Sequence, residues 1–218
     1  GEKLGRELLA GMLPLAAEFN CPIAGGDTNS WRESLVLSVT AIGEVAGPQA
    51  WRRSGAKPGD LLIATGSFGG SILGKHFDFQ PRVKEALWLA EQTQIHAAID
   101  VSDGLSLDLW RLTEASDCGA ELFVAAIPIA PAAEMLAQQD GKSPLEHALT
   151  DGEDFELLLA IAAEDWPRLS SAWTASPYAA TPLTQIGRFT AEAGLWQVTA
   201  NGREPLTPRG YLHGGSSA

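Results

Sequence analysis

An α/β (α+β) fold with antiparallel strand pairs is what this 218-residue chain predicts, and three observations predict it. Helix-like and strand-like stretches follow one another along residues 61–206, which asks for both element types around a shared core. The Asn201-Gly202 pair joins two short strand patterns by a hairpin turn, so at least one pair is antiparallel. Hydrophobic residues make up 45% of the chain, enough for a real core. A doubly wound parallel sheet is not indicated.

In order along the chain, Leu4, Leu8, Met12, Ala16 and Phe19 recur at helical spacing across residues 1–20, with Pro14 expected to kink or restart the helix. A short apolar stretch from Cys21 runs into a glycine-rich turn ending at Thr28, and the alternation from Ser34 to Val45 predicts a long strand. Gly47-Pro48 is the first clear punctuation, which places a domain boundary near 47–50 and divides the chain into residues 1–47 and 48–218. The Lys57-Pro-Gly-Asp60 turn then opens a strand at 61–65. Helices are expected at 69–78 and 81–94, a strand at 97–101, a helix over 103–116 stopped by Gly119, and a strand at 120–125. A proline-punctuated helical region (131–149), a strand (155–162), a helix (164–174), a strand (183–189) and the hairpin 195–206 complete the pattern, with a frayed Gly-Gly-Ser-Ser-Ala tail.

The charge balance is 15 Lys+Arg against 27 Asp+Glu, a net −12, which argues against a nucleic-acid groove. The longest apolar run, 157–163, is far short of the roughly 20 residues a membrane span needs, so no membrane partner and a cytoplasmic location are expected. Cys21 and Cys118 form neither a CxxC pair nor a zinc-ligand spacing, and read as buried small hydrophobes. The chain opens at Gly1 inside a helical pattern, so a fragment is expected.

Several motifs carry chemistry. Gly69-Gly-Ser-Ile-Leu-Gly74-Lys75 fits the first seven positions of a P-loop, but position eight is His76, which cannot supply the hard oxygen that Mg²⁺ requires there; a plain glycine-rich loop is the better reading. In Ala98-Ile-Asp100-Val-Ser102-Asp103-Gly-Leu105, two carboxylates and a hydroxyl converge on one strand-to-helix turn, a hard-cation environment. The alternative is that Asp103 merely caps the helix whose buried face carries Leu105, Leu109 and Leu112. Gly25-Gly26-Asp27-Thr28 allows close backbone approach to a phosphate and adds a third carboxylate, or is an ordinary turn. Asp151-Gly-Glu153-Asp-Phe-Glu156 sets four acids at the start of a strand, as a site or as a solvated loop. Arg52-Arg53-Ser-Gly-Ala-Lys57 supplies cations able to bind phosphate, or forms a surface turn. His76, His96, His147 and His213 share no ligand or triad spacing, and no nucleophile elbow occurs.

Taken in order, Gly25-Gly-Asp-Thr28, Arg53-Ser-Gly-Ala-Lys-Pro-Gly-Asp60, Ile99-Asp-Val-Ser-Asp-Gly-Leu105, Ala115-Ser-Asp-Cys-Gly-Ala120, Gly152-Glu-Asp-Phe-Glu-Leu157 and Pro208-Arg-Gly-Tyr-Leu-His213 resemble the thiamine-monophosphate kinases, across essentially the whole chain. The individual motifs are shared with aminoimidazole ribonucleotide synthetase, selenide water dikinase and a hydrogenase-maturation protein. The resemblance implies a two-domain aminoimidazole ribonucleotide synthetase-like fold, here the end of an N-terminal ATP-binding and dimerisation domain followed by a complete C-terminal mixed-sheet domain. It further implies Mg²⁺- and ATP-dependent conversion of thiamine monophosphate to thiamine diphosphate, without a phosphoenzyme, by a protein that is a homodimer when full length. On matching positions it makes Asp27, Asp100 and Asp103 magnesium ligands, Gly26, Asp27, Arg53 and Ser102 nucleotide contacts, and Glu153 a thiamine contact. Pro208 stands where the family often has a stacking aromatic, a role that passes to Tyr211, and Asp151 replaces a more usual glycine. About the first third of the family's length is absent, so the chain alone is expected to be inactive. Another ATP-using enzyme of the superfamily, or a non-catalytic nucleotide-binding fragment, is the alternative reading.

Overall fold

The computed structural model describes residues 2–45 and 50–212, which divide into two units at the boundary between Glu44 and Val45. In the first unit, α1 (Glu2–Glu18) continues through Pro14 as one helix. Residues 21–45 carry no strand. The alternation from Ser34 to Val45 therefore misled: a strand is defined by its neighbour, and among the described residues this segment pairs with none, leaving Val36, Val39 and Ile42 exposed. Cys21 is exposed rather than buried. The boundary residues 46–49 and the tail beyond Leu212 lie outside the described residues.

The second unit is built on β1 (Leu61–Thr65), α2 (Val83–Gln92), β2 (Ile95–Asp100), α3 (Leu105–Ser116), β3 (Gly119–Phe123), α4 (Pro131–Asp140), α5 (Pro144–Thr150), β4 (Leu157–Ile161), α6 (Trp166–Thr174), β5 (Leu183–Thr190), β6 (Gly194–Thr199) and β7 (Gly202–Pro205). The strands form one seven-stranded sheet in the order β2-β4-β1-β5-β3-β6-β7. Every neighbouring pair is antiparallel except β3 and β6. Central strands β1, up to Thr65, and β4 are apolar because both faces of the sheet are covered. Leu62, Ala64, Leu158 and Ala160 join one core with Leu105, Leu109 and Leu112 of α3, while Ile63, Leu159 and Ile161 join the other with Leu89 of α2 and Leu169 and Trp173 of α6. Cys118 sits in the first of these cores, and burial, helped by Asp60 and Asp117, pushes its thiol up to about 11, which makes it inert.

Several boundaries differ from the sequence reading. Residues 69–78 are not an α-helix but a single 3₁₀ turn (Ser71–Leu73), because Gly69, Gly70 and Gly74 all take positive φ, which ends any helix. Helix α3 stops at Asp117, whose left-handed φ of 52° makes the cap that Gly119 was expected to supply. The region 131–149 splits into α4 and α5 at Gly141. In the hairpin, Thr199 pairs with Gly202, so Ala200 and Asn201 form the tip.

Candidate active site

The strand-to-helix turn after β2 is fixed by a residue that the sequence reading passed over. Asp108, buried in the first turn of α3, accepts through Oδ2 the backbone N–H groups of Ser102 (3.0 Å), Asp103 (2.8 Å) and Gly104 (3.2 Å). Asp103 is therefore not the helix cap: Gly104 holds the N-cap position, and Asp108 satisfies the amides from inside the helix. Asp103 instead turns its carboxylate to Arg111, whose Nη1 donates both to Asp103 Oδ2 and to Asp108 Oδ1 (2.7 Å). The Asp103 hydrogen bond chiefly, with that of Asp108, raises the Arg111 pKa above its ordinary value against the effect of burial. Burial raises the Asp108 carboxyl pKa even though the amides and Arg111 oppose it.

The acidic segment before β4 folds back along this turn. Val101 donates to the Glu156 carbonyl (2.8 Å), Phe155 to that of Val101 (2.8 Å) and Glu153 to that of Ser102 (2.8 Å). Approach is so close at Gly152 that a Cβ there would lie 2.6 Å from the Ser102 carbonyl oxygen, so only glycine fits. Glu153 (φ 61°) and Phe155 (φ 52°) are both left-handed, which drives Asp154 inward and Glu153 outward.

A solvated loop is therefore the wrong description for three of these four acids, Asp151, Asp154 and Glu156. Asp154 accepts the Gly69 N–H through both carboxylate oxygens (3.1 and 3.0 Å), and Asp151 accepts that of Gly70 (2.8 Å). The amides that a P-loop would offer to phosphate are thus taken by the protein's own carboxylates, and Lys75 donates to Glu156 (3.0 Å). Arg82 grips the same Glu156 with two bonds of 2.8 and 2.7 Å. Burial alone would raise the Glu156 carboxyl, but hydrogen bonding and charge from Arg82 and Lys75 outweigh it and hold the pKa below the usual range. Asp154 has weaker compensation: burial pushes it up to about 7, against the Gly69 amide and Lys75 and with Glu156 and Asp151 adding repulsion.

Ser102, Asp103, Glu153 and Tyr211 converge on one cleft of about 840 Å³, together with Ser71, Ile72, Leu136, His147, Asp151 and Phe155. Tyr211 is held there by its backbone N–H, which donates to the Asp103 carbonyl (2.8 Å). Buried His147 bridges Asp151 (Nδ1, 3.0 Å) and Asp140 (Nε2, 3.2 Å) at the cleft wall. Its four-residue spacing to Asp151, the residue that caps the end of α5, was the available sequence signal. Asp100 is exposed at the end of β2 beside the turn but does not line the cleft. Pro208 is half-buried and also outside the lining. Arg53 is exposed, and its carbonyl anchors the loop to Ser116 at the end of α3 (3.0 Å). Two residues of that loop, Ala56 and Asp60, turn inward: Asp60 is buried, accepts the Lys57 amide (2.9 Å) and pairs with His96 (2.8 Å). Gly26 and Asp27 are exposed in the first unit, where Asp27 Oδ1 accepts the Thr28 amide (2.9 Å).

As metal donors, Asp100 and Asp103 are hard oxygen ligands three residues apart, and the guanidinium already beside Asp103 shows that the turn accommodates positive charge. Their chemistry fits a divalent cation. Their number is short of a full site, since no group of three or more His, Cys, Asp or Glu able to hold a metal occurs among the described residues.

The mixed sheet and this turn define the class. Residues 57–195 match the family described as AIR synthase related protein, C-terminal domain. Thiamine-monophosphate kinase from Rhodopirellula baltica is 41% identical over 214 residues, covering 97% of this chain and 65% of that protein. The Methanospirillum hungatei enzyme of the same name is 35% identical over 216 residues, covering 95% of this chain and 68% of that protein. A solved structure described as AaThiL complexed with AMPPCP and TMP superposes with a TM-score of 0.56 at 25% identity, over 74% of this chain and 53% of that one. The chain belongs to the thiamine-monophosphate kinase family. It spans between about half and about two-thirds of the length of these relatives.

Proposed function

We propose that the protein carrying this chain transfers the γ-phosphoryl group of ATP to thiamine monophosphate, giving thiamine diphosphate and ADP. The observation that carries the reading is the convergence of Ser102, Asp103, Glu153 and Tyr211 on one cleft in a chain of this family. A relative solved with AMPPCP, an ATP analogue, and TMP supports both substrates. An oxygen of the acceptor phosphate attacks the γ-phosphorus while its bond to the β-phosphate oxygen breaks and ADP leaves. That oxygen is already anionic, so no general base is needed, and the task left to the protein is positioning and charge neutralisation.

Asp27, Asp100 and Asp103 would hold magnesium, which when bound offsets phosphate charge and aligns the transfer. Gly26, Arg53 and Ser102 contact the nucleotide. Glu153 faces the cationic thiamine, its carboxylate set outward by the left-handed backbone beneath it, and Tyr211 offers the cleft an aromatic face. Pro208 stays a substrate contact in this reading only if the closing segment shifts toward the cleft. Residues 1–47 belong to the nucleotide-binding and dimerising domain, and 48–218 form the C-terminal domain of a cytoplasmic homodimer. By itself the 218-residue chain should turn over little, since its relatives bring further length to the same reaction.

The test joins this chain to the segment of the Rhodopirellula baltica relative that it does not match. The fusion and the chain alone are each supplied with Mg-ATP and, separately, thiamine, thiamine monophosphate, formylglycinamidine ribonucleotide and selenide, and products are identified by mass. Thiamine diphosphate from the monophosphate alone supports the reading. Turnover of either of the last two, with none of the monophosphate, moves the protein to a sister activity.

A further inference from the structure

Arg111 stands on a carboxylate that the proposed reaction needs. One nitrogen of its guanidinium serves both Asp103 and Asp108. The two partners differ: Asp108 is fully buried and locked by three backbone amides, whereas Asp103 lines the cleft. The Arg111 side chain keeps 27% of its exposure, so it has room to move while staying on its buried anchor. The one guanidinium faces two carboxylates, three and eight residues before it in sequence, with Asp100 close by along the chain.

We propose that Arg111 is the internal counter-cation of Asp103, displaced when a divalent ion binds that carboxylate and retained beside the turn by Asp108. The inference rests on the reading of Asp103 as a metal ligand. Exchange of one cation for another gives Asp103 a cationic partner in both states, and leaves a guanidinium next to the anionic oxygens that a metal–nucleotide brings. Metal affinity is then lowered by the strength of the pair that must be broken, about tenfold for a partly exposed charge-assisted pair. Arg111 acts through Asp103 and is a positioning residue.

The probe is Mn²⁺ alone, titrated into the fusion of this chain with the segment of the Rhodopirellula baltica relative that it does not match, because the chain's own carboxylates, among the described residues, are too few for a full site; free Mn²⁺ is counted by electron paramagnetic resonance and folding checked by circular dichroism. Wild type, Arg111→Gln, Asp103→Asn and the double variant are compared. Arg111→Gln should bind Mn²⁺ about tenfold tighter than wild type, and the increase should vanish in the Asp103→Asn background. A structural role would give the opposite sign, since a loosened turn does not bind an ion better. Equal or weaker binding by Arg111→Gln, or an increase that survives Asp103→Asn, overturns the inference. If wild type binds, Asp103→Asn does not, and Arg111→Gln equals wild type, the metal reading stands and only the exchange fails. Absence of Mn²⁺ binding in every form sinks both. Should Arg111→Gln fail to fold, Arg111→Met repeats the comparison.

Discussion

Replacing Asp154 by Asn should change how stability depends on pH, in a direction fixed by burial. The Asp154 carboxyl is completely enclosed, and its pKa is pushed up to about 7 in the folded chain, against about 3.9 unfolded. The folded state therefore holds the proton more tightly than the unfolded state. The stability this contributes is complete below pH 4 and is lost as pH rises through about 7. Between pH 5 and 7.5 the two values predict a loss of about 2.5 kcal/mol attributable to this one group. Asparagine cannot ionise, yet its side-chain oxygen can still accept the Gly69 amide, so the variant should behave like the protonated form at every pH. The assay is urea unfolding followed by tryptophan fluorescence, which reports the second unit through buried Trp173, from pH 5 to 8 for both proteins. The stability of wild type minus that of Asp154→Asn should fall by about 2.5 kcal/mol across pH 5 to 7.5 and then level off. A difference constant to within about 0.5 kcal/mol, or one that rises with pH, would mean that the Gly69 amide and Lys75 hold the carboxylate ionised, and the argument would be wrong.

Arg82→Leu removes the two-bond grip on buried Glu156 and should cost about 3–5 kcal/mol. The Arg82→Leu/Glu156→Leu pair should recover much of that, because no uncompensated charge is left; a double variant as unstable as the single refutes it. Asp108→Ala strips the acceptor from three amides of the turn and should lower stability by at least about 3 kcal/mol in urea titration, whereas a change under about 1 kcal/mol would mean that water replaces it. In the fusion protein, Glu153→Gln should raise KM for thiamine monophosphate several-fold more than KM for ATP; equal rises would detach Glu153 from the acceptor.

The fold was legible where local pattern and tertiary burial agree. Strands β1 and β4 read as continuous apolar runs because the sheet is covered on both faces, and the leucines of α3 predicted its buried stripe. Failures came where backbone geometry overrides pattern. The glycines at 69, 70 and 74 convert a helical-looking stretch into a 3₁₀ turn, and the apolar alternation at 34–45 has no partner strand among the described residues to make it a strand. Sheet order was beyond reach, since neighbours such as β2 and β4 are brought together across more than fifty residues that carry no local trace of the pairing.

For the site, residue type and the family resemblance pointed to the turn and the acidic segment that line the cleft, but not to the contacts that each acid makes. Asp103 could be singled out by its place at a strand-to-helix turn, and Glu153 by the family motif that carries it. Asp108 could not, because an aspartate inside an amphipathic helix reads as a solvated residue until the preceding loop is seen to curl over it. The same holds for the four acids of 151–156. Sequence gives them equal standing, but alternating left-handed residues send Asp154 to the glycine loop and Glu153 to the cleft, while Glu156 is taken up by Arg82 and Lys75 from elements some eighty residues away. A carboxylate available to a ligand differs from one that holds the fold only in what the rest of the chain brings to it. Arg82 and Lys75 are spent on Glu156, and the guanidinium beside Asp103 has a second anchor in Asp108, so Asp103 and Glu153 are the carboxylates that the cleft can offer a cationic ligand.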